Sequence, residues 1–312
     1  MNEKKISLIV SVYNEEEGLR QFYETTSEEM ARLVKARPGY EYQIWFVNDG
    51  SSDQSPAILE ELRLKDPSHV RVISFSRNFG HEAAMTAGLD YADGDYLIFL
   101  DADLQHPPAA IPAILDCFEA GYDIISMVRT QNEDAGIFGS LASACFYKII
   151  NRVSEAKLLP AASDFFAMDS RAAEVLRHNY REKVRFLRGF VQNIGFRKTS
   201  LSYEAASRAA GRSHYSFGRL MRLSVDAMTC FSDLPLKSGI YAGFFSGFLG
   251  ILLIIYTLLT RDGAPSGYAT IVIVLCFMFA VLFFLLGIIG SYISILFREM
   301  KDRPIYIVED IR

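Results

Sequence analysis

The sequence predicts an α/β domain with a mostly parallel sheet, followed by a pair of membrane-spanning helices. Two observations predict this arrangement. Up to about residue 235, short apolar runs rich in β-branched residues alternate with segments of helical periodicity, a pattern typical of βαβ units. Residues 238–297, by contrast, carry almost no charge. The chain has 312 residues and is 50% apolar, which is enough for a sizeable core.

The predicted strands are short apolar runs, and each ends at polar residues. They cover residues 6–12, 42–48, 70–75, 96–100 and 124–128. Helices are predicted between them at 15–36, 53–65, 82–92 and 109–120. Because strands and helices alternate, we expect a parallel sheet with helices on both faces. Ligands of such sheets bind beyond the carboxyl ends of the strands.

Polar clusters follow the ends of all these strands. In order they are SVYNE at 11–15, NDGSSD at 48–53, SRNFGHE at 76–82, DADLQ at 101–105, and Arg129. One cluster alone is weak support for a site, since NDGSSD is typical of a turn followed by a helix cap. The ends of parallel strands meet at one edge of a sheet, so the clusters together predict a single site there.

The DADLQ cluster favours a divalent metal. Asp101 and Asp103 are two anions that repel each other unless a proton or a cation lies between them, and Gln105 adds an amide oxygen. Oxygen ligands without His or Cys favour Mg²⁺ or Mn²⁺ over zinc, and magnesium often takes its remaining ligands from water and phosphate. The alternative is that Asp101 caps a helix opened by the prolines at 107–108.

Other kinds of nucleotide site are disfavoured. The first strand-to-helix turn has no GxGxxG pattern, and the chain contains no GxxxxGK[ST], so neither a Rossmann dinucleotide site nor a P-loop is expected. Acidic side chains must make the contacts instead. Asp49 can accept hydrogen bonds from a nucleobase, and Glu15 or Asp53 from ribose hydroxyls. The ligand predicted from these residues is a diphosphate bound through a metal.

Several motifs together resemble a known family. VSVYNEEEGL, FVNDGSSD, SRNFGHEAAMTAGLDYADGDYLIFLDADLQHPP, SDFFAMDSR and VRFLRGF precede an apolar hairpin. This pattern is similar to that of family 2 glycosyltransferases with a GT-A fold. More narrowly, it resembles the polyprenyl-phosphate glycosyltransferases, which include GtrB-type glucosyltransferases and dolichol-phosphate mannose synthase. The resemblance covers essentially the whole chain and implies transfer of a sugar from a nucleotide sugar to a polyprenyl phosphate, with inversion.

The resemblance also implies roles for individual residues. The positions that match the family's nucleotide pocket are Tyr13, Glu15, Val47 and Asp49. Asp101 and Asp103 match its D-x-D element, which makes Asp103 a catalytic residue, and Gln105 matches a further metal ligand. Arg129 matches an arginine that contacts donor phosphate. Asp164, in the SDF motif, matches an acid that faces the reacting sugar and is a candidate base, with a helix cap as the alternative.

The segment RAAGRSHY, residues 208–215, resembles a loop that closes over the phosphates. We assign Arg208 to the donor and Arg212 to the acceptor phosphate. The family more often has lysine where this chain has His81 and His214, and neutral histidine is a weaker phosphate ligand than lysine at pH 7. No chemical role is predicted for His106.

Two further segments are assigned to the lipid acceptor. Arg185 and Arg188 can bind the lipid phosphate, because arginine binds phosphate in a bidentate manner; the alternative is a solvated basic face. Residues 213–236 place apolar side chains along one helical stripe, which predicts a juxtamembrane amphipathic helix, with a core helix as the alternative.

The uncharged region divides into two apolar blocks, residues 238–260 and 269–297, each longer than the roughly 20 residues that span a bilayer. Lys237, Arg298, Lys301 and Arg303 flank the pair, whereas the connector contains Arg261 alone. The positive-inside rule therefore places both ends in the cytoplasm. The predicted domains are a cytoplasmic GT-A domain at 1–212, the juxtamembrane helix at 213–236, and the hairpin with a short tail at 237–312.

The composition of the chain limits the kinds of binding partner that we expect. A net charge of −5 argues against a nucleic-acid ligand, and four scattered cysteines without metal spacing suit a reducing compartment. No secretory signal is recognised at the N terminus. The expected partners are a nucleotide sugar, a polyprenyl phosphate and the plasma membrane, and a homo-oligomer is compatible with the hairpin.

The expected function is transfer of glucose or N-acetylhexosamine from a UDP-sugar to undecaprenyl phosphate, for modification of cell-envelope glycans or glycolipids. The alternatives are a mannosyltransferase that uses GDP-mannose and a non-catalytic membrane scaffold. A processive polysaccharide synthase is disfavoured, since the chain lacks QxxRW and has few membrane helices.

Overall fold

The structure is a computed structural model that describes residues 3–130, 159, 162–204, 234–259 and 267–312. The chain forms two compact units. The first comprises residues 1–151, 156–217 and 304–312, and the second comprises residues 152–155 and 218–303. Predictions for the 208–215 loop and for most of the juxtamembrane helix lie outside the described residues.

The first unit is built on one eight-stranded mixed sheet in the order β7-β5-β6-β4-β1-β2-β3-β8. Its strands are β1 (Lys4–Val12), β2 (Tyr40–Asn48), β3 (Val70–Phe75), β4 (Tyr96–Asp101), β5 (Ile124–Arg129), β6 (Ala162–Asp169), β7 (Lys198–Tyr203) and β8 (Val308–Ile311). Its helices are α1 (Leu19–Ala36), α2 (Ser55–Lys65), α3 (His81–Tyr91), α4 (Ile111–Glu119), α5 (Ser170–Asn179) and α6 (Leu187–Asn193), with a 3₁₀ turn at Pro108–Ala110.

The predicted alternation of strands and helices is confirmed, and β1 pairs in parallel with both β2 and β4. The middle parts of the central strands are mostly apolar because both faces of the sheet are covered, and Leu8, Val10 and Ile98 are fully buried. The first helix starts later than predicted. Residues 15–18 form a turn instead, in which the Gly18 amide donates to the Glu15 carbonyl at 3.2 Å.

Two antiparallel strands were not predicted. The strand β6 lies between β4 and β5 and runs against both, so its first residues lie at the same edge as the carboxyl ends of the parallel strands. The strand β8 pairs antiparallel with β3 at the other end of the sheet. The last residues of the chain, predicted as a short cytoplasmic tail of the hairpin domain, are therefore part of the first unit.

The second unit contains two long helices, α7 (Leu234–Leu259) and α8 (Tyr268–Met300). Within the described part of this unit, the stretch Phe277–Met300 is long and apolar enough to cross a membrane. Large apolar side chains on both helices are exposed, among them Phe244, Leu259 and Phe283. Exposure of this kind suits contact with lipid rather than with water.

Candidate functional site at the carboxyl edge of the sheet

The first two loops at this edge are joined by hydrogen bonds between side chains and backbone. The Asn14 amide donates to Ser51 Oγ at 3.0 Å, and Asn14 Oδ1 accepts from the Ser52 amide at 2.9 Å. Asn14 has a positive φ of 55°, which asparagine tolerates better than most residues. Asp53 accepts from the amides of Glu16 and Ser55. Asp53, considered above for ribose, therefore holds the two loops together.

Asp49 organises the loop that follows β3. Its Oδ2 accepts from Asn78 Nδ2 at 3.0 Å and from the Gly80 amide at 2.9 Å, and its Oδ1 accepts from the Phe79 amide at 2.6 Å. The residue is 2% exposed. Burial raises the pKa of its carboxyl, although the hydrogen bonds from Phe79 and Gly80 oppose this shift.

Gly50 allows the turn after β2 to pack closely against the loop after β3. It has a positive φ of 63°, and a Cβ at this position would lie 2.3 Å from the Arg77 carbonyl carbon. A larger residue would push the two loops apart. The NDG segment is thus a buried turn beneath the site, as the turn interpretation of that motif expects.

The DADLQ turn begins at the last residue of β4. Asp103 Oδ1 accepts from the Gln105 amide at 3.0 Å, an Asx turn. Leu104, between them, has a φ of 61°, a left-handed conformation that costs roughly 1–2 kcal/mol for a residue with a Cβ. Gln105 Oε1 accepts from Arg129 Nη2 at 2.9 Å. The structure therefore places Arg129, predicted to contact the phosphate of the sugar donor, in contact with Gln105, a predicted metal ligand.

Asp164 lies near the start of β6 and is part of the same site. His81 Nε2 lies 3.8 Å from Asp101 Oδ1 and 3.7 Å from Asp164 Oδ2, and its other ring nitrogen hydrogen-bonds Ser11 Oγ at 2.8 Å. Arg188 Nη1 lies 3.4 Å from Asp164 Oδ1. Three of the predicted clusters, together with the SDF motif, thus meet around one imidazole.

The charges in this cluster shift one another's pKa. Burial opposes the charged form of His81, but the carboxylates of Asp101 and Asp164 outweigh it and raise the pKa. Burial would raise the pKa of Asp164, but the charges of Arg188 and His81 lower it. Burial and the charge of Asp164 raise the pKa of Glu82, whose Oε2 accepts from the Leu187 amide at 2.8 Å.

Arg185 and Arg188, two of the three arginines predicted to bind the acceptor phosphate, have different surroundings. Arg188 faces Asp164 and packs over the Phe186 ring, 5.1 Å from its centroid. Arg185 donates to Thr86 Oγ1 at 3.2 Å and to the Tyr180 carbonyl at 2.5 Å. Its Nη2 is buried and has no hydrogen-bond partner among the residues that the structure describes.

The other predicted nucleotide residues differ in exposure. Tyr13 is 49% exposed, whereas Val47 is fully buried within β2. The structure therefore does not bring the side chains of Val47 and Asp49 to the exposed rim, and their contact with a nucleotide stays a prediction. Glu15 is fixed through its amide, which donates to Ser55 Oγ at 2.9 Å. Arg208 and Arg212 lie outside the described residues.

The residues at this edge fit a divalent cation that shares its ligands with a substrate. Within the described ranges, no three His, Cys, Asp or Glu side chains form a metal-binding group by themselves. Asp101 nevertheless keeps about a third of its side chain exposed (34%) beside a concentration of negative charge. Mg²⁺ and Mn²⁺ typically bind one or two carboxylates and complete their shell with phosphate and water, which matches an open site at Asp101, Asp103 and Gln105.

His106 is a site residue that the sequence interpretation missed. It was given no role, yet it is 2% exposed and its Nδ1 accepts from the Asp101 amide at 3.0 Å. Its ring stacks on Phe165, with centroids 5.1 Å apart. The sequence does contain a signal for His106, which is its position directly after the predicted metal ligands. A histidine at that position must either project into solvent or pack beneath the turn.

Comparison with known protein families matches residues 7–177 to glycosyl transferase family 2 and residues 234–296 to the GtrB C-terminal hairpin. An uncharacterised glycosyltransferase of Bacillus subtilis, YkcC, is 36% identical over 97% of this chain and 93% of its own length. The SfII prophage-derived bactoprenol glucosyl transferase of Shigella flexneri is 35% identical over 98% and 97% of the two chains.

Among solved structures, glucosyl-3-phosphoglycerate synthase from Mycobacterium tuberculosis aligns with 72% of this chain and 78% of its own. It is 16% identical and its TM-score is 0.48. That protein was solved with Mn²⁺, UDP-glucose and phosphoglyceric acid.

Proposed function

Because the chain belongs to glycosyl transferase family 2 and carries a GtrB C-terminal hairpin, we propose that it transfers glucose from UDP-glucose to undecaprenyl phosphate at the cytoplasmic face of the membrane. The proposal of glucose and of a polyprenyl acceptor is supported by relatives named bactoprenol glucosyl transferase, which are 34–35% identical along nearly the whole chain. The choice of UDP as the nucleotide rests on resemblance alone.

The observation that carries the proposal is the convergence of Asp101 and Asp164 on one imidazole, at 3.8 and 3.7 Å. These carboxylates come from different strands, β4 and β6. Like charges held close together repel each other unless a cation lies between them. A site that holds carboxylates beside Arg129 and Arg188 is suited to a metal-bound diphosphate and a second phosphate.

The reaction joins an acceptor phosphate oxygen to the anomeric carbon while the bond from that carbon to the diphosphate breaks, with inversion. Asp101, Asp103 and Gln105 would hold a divalent cation, which would supply charge neutralisation for the diphosphate. Arg129, fixed by Gln105, adds a positive charge at the same place. The acceptor phosphate has a second pKa of about 6, so it is largely ionised and needs little help from a base.

Asp164 then has a role other than deprotonation. Its lowered pKa keeps it ionised, and a carboxylate beside the reacting carbon stabilises positive charge that develops there. Arg188 holds this carboxylate from the other side at 3.4 Å. We infer that Arg188 links Asp164 to the incoming acceptor phosphate.

The chain end supports a hairpin with both ends on the same side of the membrane. The hairpin match and the apolar helix indicate membrane association. The strand β8 follows α8 in sequence and pairs with β3 of the catalytic sheet. A chain that returns to the sheet from which it started must cross the membrane an even number of times. Two crossings agree with the two long helices α7 and α8.

The test is a transfer assay with protein purified in detergent, undecaprenyl phosphate and radiolabelled UDP-glucose, UDP-N-acetylglucosamine or GDP-mannose. We expect label in the lipid phase from UDP-glucose, none after EDTA, and recovery when Mn²⁺ or Mg²⁺ is added in excess. Labelling from GDP-mannose alone would replace the proposed donor. Undiminished transfer after complete chelation would refute the metal site.

A further inference from the structure

His106 lies between the turn that begins at Asp101 and the start of β6, which carries Asp164. It lies five residues beyond Asp101 and is 2% exposed. Its ring stacks on Phe165, the neighbour of Asp164, and meets the Tyr203 ring edge-on at 6.0 Å. Phe165 and Tyr203 also contact each other, at 5.4 Å. The imidazole is thus the centre of an aromatic cluster directly beneath the acidic residues.

The hydrogen bond to Asp101 defines the form of this ring. The backbone amide of Asp101 donates to His106 Nδ1 at 3.0 Å, so Nδ1 carries no proton. Pairing between β4 and β6 ends at Phe99 and Phe166, two residues before Asp101. A backbone amide at the buried end of a strand needs an acceptor. The imidazole supplies it, and this contact fixes the backbone from which the Asp101 carboxylate projects.

We propose that His106 is a positioning residue for the metal and donor site. Its Nδ1 fixes the backbone of Asp101, and its ring, stacked on Phe165, keeps the Asp101 turn in register with Asp164. This inference rests on the proposed function. Groups that orient metal ligands from behind typically change metal affinity or activity by about 10–100-fold when they are removed.

Two substitutions separate the contributions of His106. His106→Asn keeps an acceptor atom at the δ position but lacks the aromatic ring. His106→Phe keeps a stacking ring but leaves the Asp101 amide without an acceptor. His178, an exposed histidine on α5 with 70% side-chain exposure, provides the control variants His178→Asn and His178→Phe.

The measurement is Mn²⁺ binding in the presence of UDP, followed by the loss of the free Mn²⁺ paramagnetic resonance signal, with thermal unfolding recorded for each variant. We expect His106→Phe to weaken Mn²⁺ binding about 10-fold or more, to lower kcat, and to raise KM for the donor, because the donor diphosphate binds through the metal. His106→Asn should restore much of the Mn²⁺ affinity. Both His178 variants should bind as the unsubstituted protein does.

The outcomes distinguish the two proposals. If the unsubstituted protein neither binds Mn²⁺ with UDP nor transfers sugar, the proposed function fails. If it does both and folded His106→Phe matches it in Mn²⁺ affinity and kcat, the role of His106 is refuted. Equal losses in His106→Phe and His106→Asn would also refute the role of Nδ1, since the acceptor atom would then make no difference.

Discussion

Asp49→Asn tests whether the buried NDG turn holds the loop after β3. Asp49 accepts three hydrogen bonds, two at Oδ2 and one at Oδ1. An asparagine can keep one oxygen only, so at least the Phe79 amide would lose its acceptor and face an amide donor. A buried donor without an acceptor costs about 1–3 kcal/mol. Because burial raises the pKa of Asp49, removing its charge offsets part of this cost.

The assay is thermal unfolding in detergent, followed by the fluorescence of Trp45. This residue is the single tryptophan of the chain and is 8% exposed in β2. For a unit of roughly 200 residues, each kcal/mol lowers the Tm by about 2–4 °C, so we expect a fall of about 2–12 °C. Asp93→Asn is the control, because the Asp93 carboxylate that pairs with Lys5 is 66% exposed, and its loss should change the free energy of unfolding by no more than about 1 kcal/mol.

A second readout separates this role from contact with a base. UDP affinity should fall in Asp49→Asn only together with the Tm, because the loop and the site loosen at the same time. A Tm equal to that of Asp93→Asn, with UDP binding lost, would refute the loop-holding role. It would assign Asp49 to the nucleotide instead.

Two further predictions concern the chain end and the acidic cluster. Tyr306 stacks on Phe75 at 5.1 Å and its hydroxyl donates to Asp90 at 2.7 Å. Tyr306→Ala should therefore lower the free energy of unfolding by about 2 kcal/mol and Tyr306→Phe by about 1 kcal/mol; equal stability of all three proteins in urea would show that β8 is not anchored there. Arg188 and His81 lower the pKa of Asp164 despite its burial, so its ionised form adds stability above the ordinary aspartate pKa, and this is lost as the pH falls through the lowered folded-state value. The stability advantage of the unsubstituted protein over Asp164→Asn in urea should accordingly shrink from pH 7 to pH 3, and a constant difference would contradict it.

Local sequence patterns predicted the central part of the fold. The strands β1 to β5 are apolar runs separated by helices, so their period and spacing are visible in the sequence. The strands β6, β7 and β8 depend on partners that are distant along the chain, and β7 and β8 are short and partly exposed. Nothing in the residues 308–311 indicates that they pair with β3 after the chain has left the membrane.

The sequence predicts where in the fold the site lies, but not which side chains contact each other there. Strand ends in a parallel sheet share an edge, so the grouping of Asp101, Gln105 and Arg129 followed from topology. The approach of Asp164 required β6 to run antiparallel, which the sequence does not specify. The roles of Asp49 and His106 depend on burial, and an acid or an imidazole in a polar motif looks the same whether it faces a ligand or the backbone.

The most direct test of the account is transfer of label from UDP-glucose to undecaprenyl phosphate by the purified protein and by Asp103→Asn, both reconstituted in lipid vesicles. We expect a glucosylated lipid phosphate with the unsubstituted protein. Asp103→Asn should reduce transfer at least about 100-fold, at unchanged membrane insertion and unchanged Tm. Near-normal turnover by a folded Asp103→Asn would contradict the central claim that this edge of the sheet holds the metal and the donor.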